Sequence, residues 1–351
     1  MKRTRVLVVD DSAFARKVLR ELLSREEDLE VVGTARDGLD ALEKIAELAP
    51  DVVTLDLVMP ELDGLGVLRA LQGGVRPSVV VVSMSDADSE LGVQALELGA
   101  VELVHKPTAL ATERLYELGG ELISKVRVAA AAQPRLGAAP VPQPLEVHRA
   151  VQGSAPLVVI GTSTGGPRAL THLLSALPAS FPSPVAVTLH ISLGYTQAVA
   201  ERLNGLCALE VLEAYDGLEL HPGRVVLAHA GMHLKLLRST HGFTCVLDLA
   251  PLHSLHRPSV DVLFASAVEA AGGEVLGVVL TGMGADGTEG AQAIHDAGGR
   301  VLTEAESSCV VYGMPRAVVE RGLSSGSHPL ERMASGMQRE VAHWVPGQPR
   351  V

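Results

Sequence analysis

Five polar side chains in the first third of the chain each follow a short apolar run, and together they could accept a phosphoryl group. Asp10 and Asp11 follow VLVV, and Asp56 follows VVTL. Because the carboxyl ends of parallel strands meet at one sheet edge, three carboxylates there would repel one another unless a cation such as Mg²⁺ neutralised them. Asp56 could then attack phosphorus and form an aspartyl phosphate. Ser83, which follows VVVV, and Lys106, which follows the predicted strand 102–104, would hold the phosphoryl oxygens.

A serine in the second half of the chain stands where a nucleophile could. Ser163 lies in GTSTG at 161–165, between the apolar run LVVI and a helical pattern. This strand–turn–helix form lifts a serine clear of the backbone, and N–H groups at the start of the helix could stabilise an oxyanion. The turn alone is equally consistent with a phosphate-binding loop or a capped turn, and both interpretations stay open at this point.

A serine nucleophile needs a base, and the base needs an orienting carboxylate. His190 directly follows an apolar strand pattern, and Asp286 lies in the Gly-rich loop TGMGADG after the apolar run 275–280. Adjacent strand ends allow hydrogen-bond contact, so we expect Ser163, His190 and Asp286 to act as nucleophile, base and orienting acid. In α/β-hydrolases the acid precedes the histidine in the chain, so the order here predicts a different fold.

Strands that alternate with helices must position these side chains, and the apolar pattern predicts an α/β protein. Strands are expected at 6–9, 30–33, 52–55, 79–82, 102–104, 157–160, 185–189, 225–227 and 275–280, with helices at 13–23, 38–48 and 168–177. Residues 1–125 are predicted to form a doubly wound, flavodoxin-like domain. Residues 156–346 are predicted to form a three-layer α/β/α domain with a mainly parallel sheet. Between them, 126–155 is rich in Ala and Pro and is predicted to be a flexible linker.

Composition excludes several classes of protein. The 351 residues carry 29 Lys and Arg against 41 Asp and Glu, a net charge of −12, which disfavours nucleic acid and anionic lipid as partners. We expect a cytoplasmic protein without direct membrane insertion, because no apolar stretch approaches the ~20 residues that span a bilayer and three scattered cysteines fit a reducing compartment. His229 and His233 have a spacing found among zinc ligands, as more loosely do His253 and His256, but neither pair has Cys or acidic companions, so no zinc site is predicted.

The N-terminal pattern resembles the receiver domain of bacterial two-component response regulators over about residues 4–124. The resemblance rests on VVDDS at 8–12, LDLVMPELDG at 55–64, Ser83 and HKP at 105–107. It implies phosphoryl transfer from a histidine kinase onto Asp56. Receivers commonly carry Phe or Tyr three residues before the lysine, where this chain has Leu103.

The C-terminal half, about residues 156–346, resembles the catalytic domain of the CheB family of chemotaxis protein-glutamate methylesterases. The matching stretches are GTSTGGP at 161–167, His190 with AERLN at 200–204, DGLELHPG at 216–223, HRPSVDVLF at 256–264, LTGMGADG at 280–287 and SSCVVYGMPRAV at 307–318. A receiver, a linker and this domain, in that order, form the architecture of the family.

The resemblance implies hydrolysis of glutamyl methyl esters on methyl-accepting chemotaxis receptors, often with deamidation of receptor glutamines, and a CheA-type histidine kinase as phosphodonor. It implies Ser163 as nucleophile, His190 as base and Asp286 as orienting acid, with Thr164 and Met283 lining the site or serving the oxyanion. Magnesium is implied for phosphorylation of the receiver, with Asp10, Asp11 and Asp56 as ligands, and no cofactor for the esterase step. The segments 191–196 and 228–231 depart from the family pattern.

Other functions remain to be weighed against this one. A nucleotide-binding module would need a Gly-Lys-Ser/Thr ending to the 161–166 loop, which is absent. A receptor-binding adaptor without activity would not need all three residues of the triad. A related methylesterase could also serve a receptor system outside chemotaxis. A DNA-binding regulator fits least, because the C-terminal half is acidic and shows no basic recognition helix.

Overall fold

The computed structural model describes residues 3–72, 77–84, 89–106, 112–132, 155–240 and 242–344. The chain divides into two compact units, Met1–Leu136 and Gly137–Val351. Most of the predicted linker, residues 133–154, lies outside the described residues, whereas its first residues continue a helix that ends at Ala131. The domain boundaries at 125 and 156 stay predictions.

The N-terminal unit contains a five-stranded parallel sheet in the order β2-β1-β3-β4-β5. Its strands are β1 (Thr4–Val9), β2 (Leu29–Ala35), β3 (Val52–Leu55), β4 (Ser78–Met84) and β5 (Glu102–Lys106). Its helices, within the described residues, are α1 (Ala13–Leu23), α2 (Gly38–Leu48), α3 (Gly64–Ala70), α4 (Ser89–Glu97) and α5 (Thr112–Ala131). This strand order confirms the doubly wound, flavodoxin-like prediction.

Local sequence explains why these elements begin where they do. The Ser12 hydroxyl accepts a hydrogen bond from the Ala15 N–H and caps α1, and the buried residues of that helix recur on one face. The four residues of β3 are all buried, as expected for a strand covered by helices on both sides. The turns that follow β1 and β3 therefore present Asp10 and Asp56 at the same edge.

The C-terminal unit is built on a seven-stranded parallel sheet in the order β15-β14-β13-β6-β7-β10-β8. These strands are β6 (Leu157–Thr162), β7 (Val185–Leu189), β8 (Glu210–Glu213), β10 (Arg224–Leu227), β13 (Val275–Val279), β14 (Arg300–Glu304) and β15 (Gly326–His328). The helices in its described part are α6 (Gly166–Ser175), α7 (Thr196–Leu206), α8 (Val260–Ala271), α9 (Thr288–Asp296), α10 (Met314–Glu320) and α11 (Leu330–Ala342). The parallel sheet confirms the predicted α/β class.

A second sheet of this unit was not predicted. It is antiparallel, in the order β11-β12-β9, and consists of β9 (Glu219–Leu220), β11 (His233–Ser239) and β12 (Gly242–Asp248). Helix α8 packs against both β11 and β6, so it lies between the small sheet and the large one. The side chains of Leu263 and Phe264 are completely buried there.

Strands β13, β6 and β7 are neighbours in the large sheet. The loops after their carboxyl ends carry Asp286, Ser163 and His190 respectively, which brings the three predicted residues to one edge. Among the helices in the described ranges, none combines the length and the hydropathy that crossing a lipid bilayer requires.

Candidate functional site

Ser163 lies in the tight turn between β6 and α6, as predicted. Its backbone N–H donates to the Thr281 carbonyl (3.0 Å), and its own carbonyl accepts from the Gly166 N–H (2.7 Å). Gly165 adopts a left-handed conformation with φ 78°, which favours glycine and lets α6 start immediately after the turn. Both backbone groups of Ser163 are thus fixed by its neighbours.

The loop after β13 presses directly against Ser163. A Cβ atom added to Gly282 would lie 2.8 Å from Ser163 Cβ, so only glycine allows this approach. The Thr281 hydroxyl donates to the Thr164 carbonyl at 3.0 Å. Thr164 is buried. Met283, which follows Gly282 in the loop after β13, has 49% of its surface exposed. Thr164 directly follows the serine in the turn, and Met283 directly follows the glycine that contacts it. That the two residues line the site stays a prediction.

His190 and Asp286 are in direct hydrogen-bond contact. His190 Nε2 lies 2.8 Å from Asp286 Oδ2, and little of either side chain is exposed. The His190 N–H donates to the Thr162 carbonyl (3.0 Å), which places the histidine beside the strand that leads to Ser163. The structure thus joins two of the predicted residues directly and places the third next to them.

The carboxylate of Asp286 is held by several further donors. Its other partners are the Ser259 hydroxyl (2.9 Å) and the backbone N–H groups of Val260 (2.8 Å), Asp261 (3.0 Å) and Gly287 (3.1 Å). Burial alone would raise the pKa of Asp286, but the bonds from His190 and from these N–H groups outweigh it and hold the pKa well below its ordinary value. Asp286 is therefore ionised at neutral pH.

An ionised carboxylate only accepts hydrogen bonds, so His190 Nε2 must carry the proton in the contact with Asp286. In the neutral imidazole this leaves Nδ1 as the acceptor. His190 Nδ1 is buried and has no hydrogen-bond partner among the described residues, so the Ser163 hydroxyl is not bonded to it. Hydrogen bonds of this kind often form only once substrate is bound. Nδ1 is the nitrogen that is free to take a proton.

His256 is a member of the site that the sequence reasoning did not place. Its ring stacks on that of His190 with centroids 4.2 Å apart and planes at 17°. Burial, and then the neighbouring His190, lower the pKa of His256, so a neutral ring is favoured in the stack. In the sequence His256 differs from other histidines only by its spacing from His253 and as the first residue of HRPSVDVLF. No local pattern indicates that it packs against His190.

Glu304 is a second residue that the sequence reasoning did not single out. It ends β14 and is fully buried. Its carboxylate accepts from the Thr281 N–H (2.8 Å) and from the Ser308 hydroxyl (2.9 Å). Burial raises the pKa of Glu304 to about 7, because these two donors compensate only part of the lost hydration. Glu304 thus holds Thr281, which belongs to the loop that contacts Ser163. Its carboxyl group changes its charge near neutral pH.

Replacing Glu304 with Gln should reduce the pH dependence of stability. Between pH ~4.5 and ~7 the folded chain retains a proton that the unfolded chain has lost, so stability falls as pH rises through this window. The neutral amide of Gln avoids that loss. Between pH 5 and pH 8, the free energy of unfolding of the variant should therefore rise by about 2–3 kcal/mol relative to that of the wild type. Urea unfolding followed by the fluorescence of Trp344, the single Trp of the chain, reports on the C-terminal unit.

A matched control for this measurement is the exposed Glu306, whose replacement by Gln should leave the pH dependence as in the wild type. Equal pH dependence in the wild type and in the Glu304→Gln variant would contradict the assignment of a buried, neutral-range carboxyl group.

In the N-terminal unit, Lys106 joins two of the predicted carboxylates. Its ammonium lies 2.5 Å from Asp10 Oδ2 and 2.8 Å from Asp56 Oδ2. Burial would lower the pKa of Lys106, but the charges of Asp56 and Asp10 outweigh it and raise the pKa. The pKa of Asp10 is raised by burial despite the nearby ammonium. Lys106 is therefore positively charged and lies between the carboxylates of Asp10 and Asp56.

The remaining predicted residues of this unit lie at the same edge. Asp10, Asp11 and Asp56 each place a carboxylate oxygen within 4.8 Å of the others, a donor set that fits a hard cation such as Mg²⁺. Ser83 is fully buried near the end of β4, one register position before the pair of Met84 with Lys106. Leu103 is buried in β5 where receivers commonly carry an aromatic residue. Pro107 of the HKP motif lies outside the described residues.

Comparison with known proteins identifies the family of each half of the chain. The sequence model of CheB methylesterase matches residues 158–337, and that of the response regulator receiver domain matches residues 6–117. A protein-glutamate methylesterase/protein-glutamine glutaminase from Myxococcus xanthus is 65% identical over 96% of this chain and 98% of its own length. One from Symbiobacterium thermophilum is 43% identical over 96% of this chain and 97% of its own.

Among solved structures, the CheB methylesterase catalytic domain of Thermotoga maritima matches 54% of this chain and 100% of its own, with 38% identity and a TM-score of 0.52. The chain belongs to the CheB methylesterase family and carries a response regulator receiver domain at its N-terminal end.

Proposed function

We propose that this protein is a phosphorylation-regulated serine esterase that hydrolyses glutamyl methyl esters on chemoreceptors, releasing methanol in the adaptation step of chemotaxis. The observation that carries the proposal is the 2.8 Å contact of His190 Nε2 with Asp286, which leaves Nδ1 as the acceptor of the ring. The backbone N–H of His190 bonds to the carbonyl of Thr162, the residue before Ser163. The membership of the family supplies the substrate class. The proposed domains are 1–125 for the receiver and 156–346 for the esterase.

The proposed reaction has two stages. Ser163 Oγ attacks the ester carbonyl while His190 Nδ1 takes its proton, and the resulting imidazolium is stabilised by the ionised Asp286. His190 then gives the proton to the departing methoxide, which leaves as methanol. Water, activated by the same nitrogen, cleaves the acyl-enzyme, returns the proton to Ser163 and releases the glutamate side chain. Thr164 and Met283 flank the carbonyl, and a backbone N–H there would bind the oxyanion.

Deamidation of receptor glutamines is the second proposed activity, because the same chemistry can act on an amide. The acyl-enzyme at Ser163 would be identical, with ammonia as the leaving group in place of methanol. An amine is a poorer leaving group than an alcohol, so proton donation by His190 would matter more in this reaction.

Regulation is proposed to act through Asp56, which would accept a phosphoryl group from a CheA-type histidine kinase. Ser83 and the Lys106 ammonium would hold the phosphoryl oxygens. Asp10, Asp11 and Asp56 would hold Mg²⁺, which would supply positive charge for phosphoryl transfer. A cytoplasmic location is part of the proposal, because all three cysteines are unpaired thiols.

Acetyl phosphate with Mg²⁺ should raise methanol release from methylated receptor membranes about tenfold, a change typical of coupling between two sites. The Asp56→Asn variant should keep the basal rate and lose the stimulation, because an amide cannot accept the phosphoryl group. Asp51, which pairs with the Arg5 N–H at the opposite end of the strands, offers a matched Asp→Asn control that should retain stimulation. Stimulation that survives in Asp56→Asn would show that another residue carries the signal.

A further inference from the structure

Ser259 occupies the position that normally caps a helix, but its hydroxyl does not cap α8. It is the N-cap residue of α8 and makes no side-chain hydrogen bond to the backbone of its own helix. The hydroxyl donates instead to Asp286 Oδ1 at 2.9 Å. A serine at an N-cap usually satisfies one of the free N–H groups of the first turn. The bond of the Ser259 hydroxyl to Asp286 therefore serves a purpose other than capping its own helix.

Asp286 takes over the capping of α8. Its Oδ2 accepts from the Val260 N–H and its Oδ1 from the Asp261 N–H, the first two N–H groups of the helix. The positive end of the helix dipole also favours the carboxylate there. The Ser259 hydroxyl adds a side-chain donor on Oδ1, the oxygen that does not face His190. The orientation of the carboxylate is thus fixed from the side away from the base.

A buried histidine holds Ser259 in turn. His233, the first residue of β11, is fully buried, and its Nδ1 accepts from the Ser259 N–H at 3.2 Å. Its Nε2 faces the Pro251 carbonyl at 3.3 Å and donates to it, because a carbonyl only accepts. Both ring nitrogens therefore have structural partners. A chain of hydrogen bonds therefore connects His233 to Ser259, Ser259 to Asp286, and Asp286 to His190.

We propose that Ser259 is a positioning residue of the esterase, which fixes the Asp286 carboxylate so that Oδ2 faces His190, and that His233 holds Ser259 in place. The inference rests on the proposed function. The Ser259 hydroxyl bonds to Asp286 and makes or breaks no bond in the proposed reaction. It acts only by restricting the rotation of the carboxylate that orients the base.

Ser259→Ala should lower kcat for methanol release about tenfold with KM unchanged, since a hydrogen bond to a charged group is lost while the substrate surface stays intact. Ser259→Thr keeps the hydroxyl and should restore most of kcat. Ser266 provides the matched control, because it lies in the same helix, is buried, and also makes hydrogen bonds through its hydroxyl, to Leu236 N and Leu263 O. Ser266→Ala should lower the melting temperature and leave kcat unchanged.

A double-mutant cycle shows whether Ser259 acts through Asp286. In the Asp286→Asn background the Ser259→Ala change should have almost no further effect on kcat, because the carboxylate that it positions is gone. A tenfold loss of kcat on Ser259→Ala in both backgrounds would overturn the proposal. So would a kcat of the single Ser259→Ala variant within twofold of the wild type. An equal loss of kcat in the Ser266→Ala control would overturn it as well.

A proton NMR measurement on the full chain separates this inference from the proposed function. The ring N–H of His190 that donates to Asp286 should give a downfield signal, which Ser259→Ala should shift or broaden and Ser266→Ala should leave in place. This result would support the positioning role even if no receptor ester were hydrolysed. An unchanged His190 signal in Ser259→Ala would overturn it, whatever the activity of the protein.

Discussion

The Asp286→Asn variant should lose roughly 10³- to 10⁴-fold in kcat for ester hydrolysis, with little change in KM. The size of the effect follows from the arrangement of donors around the carboxylate. Oδ1 accepts from three of them, the Ser259 hydroxyl and the N–H groups of Asp261 and Gly287. In the variant the amide oxygen should take this position, because an NH₂ group there would meet three donors.

The amide NH₂ group must then face His190 Nε2. It can only donate, so Nε2 becomes the acceptor and the ring proton moves to Nδ1. Nδ1 is the nitrogen that should receive the proton of Ser163, and in this tautomer it cannot. The Val260 N–H also loses its acceptor at Oδ2. The variant should fold while holding the base in the wrong tautomer.

Steady-state kinetics with methylated receptor membranes measure this effect. Asp296→Asn is a matched control, because Asp296 is exposed at the end of α9 and its carboxylate bonds to the side chains of Gln292 and His295. The control should have wild-type kcat. An Asp286→Asn variant that retains kcat within tenfold of the wild type would show that the carboxylate does not set the tautomer of His190.

Much of the fold follows from local sequence. The apolar runs at 6–9, 52–55 and 185–189 are strands because each is buried on both faces of a parallel sheet, where a continuous apolar run is required. Helices such as α1 begin at a side-chain cap that can be recognised in the sequence. Since parallel strands end at one edge, the positions of Asp56 after the run 52–55 and of Lys106 after the predicted strand 102–104 also predicted that the two side chains meet.

The antiparallel sheet could not be predicted in the same way. In β12 only Phe243 and Cys245 are buried and the other residues are partly exposed, so no buried apolar run marks the strand. The contacts that hold Asp286 and its loop could not be predicted for a different reason. Ser259 reaches Asp286 across 27 residues of sequence, and Glu304 reaches Thr281 across 23. Such contacts depend on how helices and loops pack, which the local pattern does not encode.

His233 shows how a spacing argument can point to the wrong role. Its distance from His229 in the sequence suggested zinc ligands, and the pair was set aside for lack of companions. In the structure His233 uses both ring nitrogens for hydrogen bonds, whereas His229 Nδ1 lies 2.9 Å from Glu213. The first is buried and the second remains partly exposed, so burial rather than spacing distinguishes their roles.

Ser163→Ala is expected to have the largest effect of any single substitution. The change removes the only atom that can form the acyl-enzyme, while both backbone groups of Ser163 keep their partners in Thr281 and Gly166. The turn should therefore stay folded, and hydrolysis should fall by at least about 10⁴-fold. Ser335→Ala is a suitable control, because Ser335 is only partly buried on α11 and its hydroxyl donates to the Arg332 carbonyl of the same helix.

The most direct measurement is the release of labelled methanol from receptor membranes that carry methyl-labelled glutamyl esters. The wild type and the Ser335→Ala variant should release methanol at the same rate. The Ser163→Ala variant should release it no faster than membranes without enzyme. Release by Ser163→Ala at the wild-type rate would contradict the serine mechanism, and no release by the wild type, with or without acetyl phosphate, would contradict the proposed esterase activity itself.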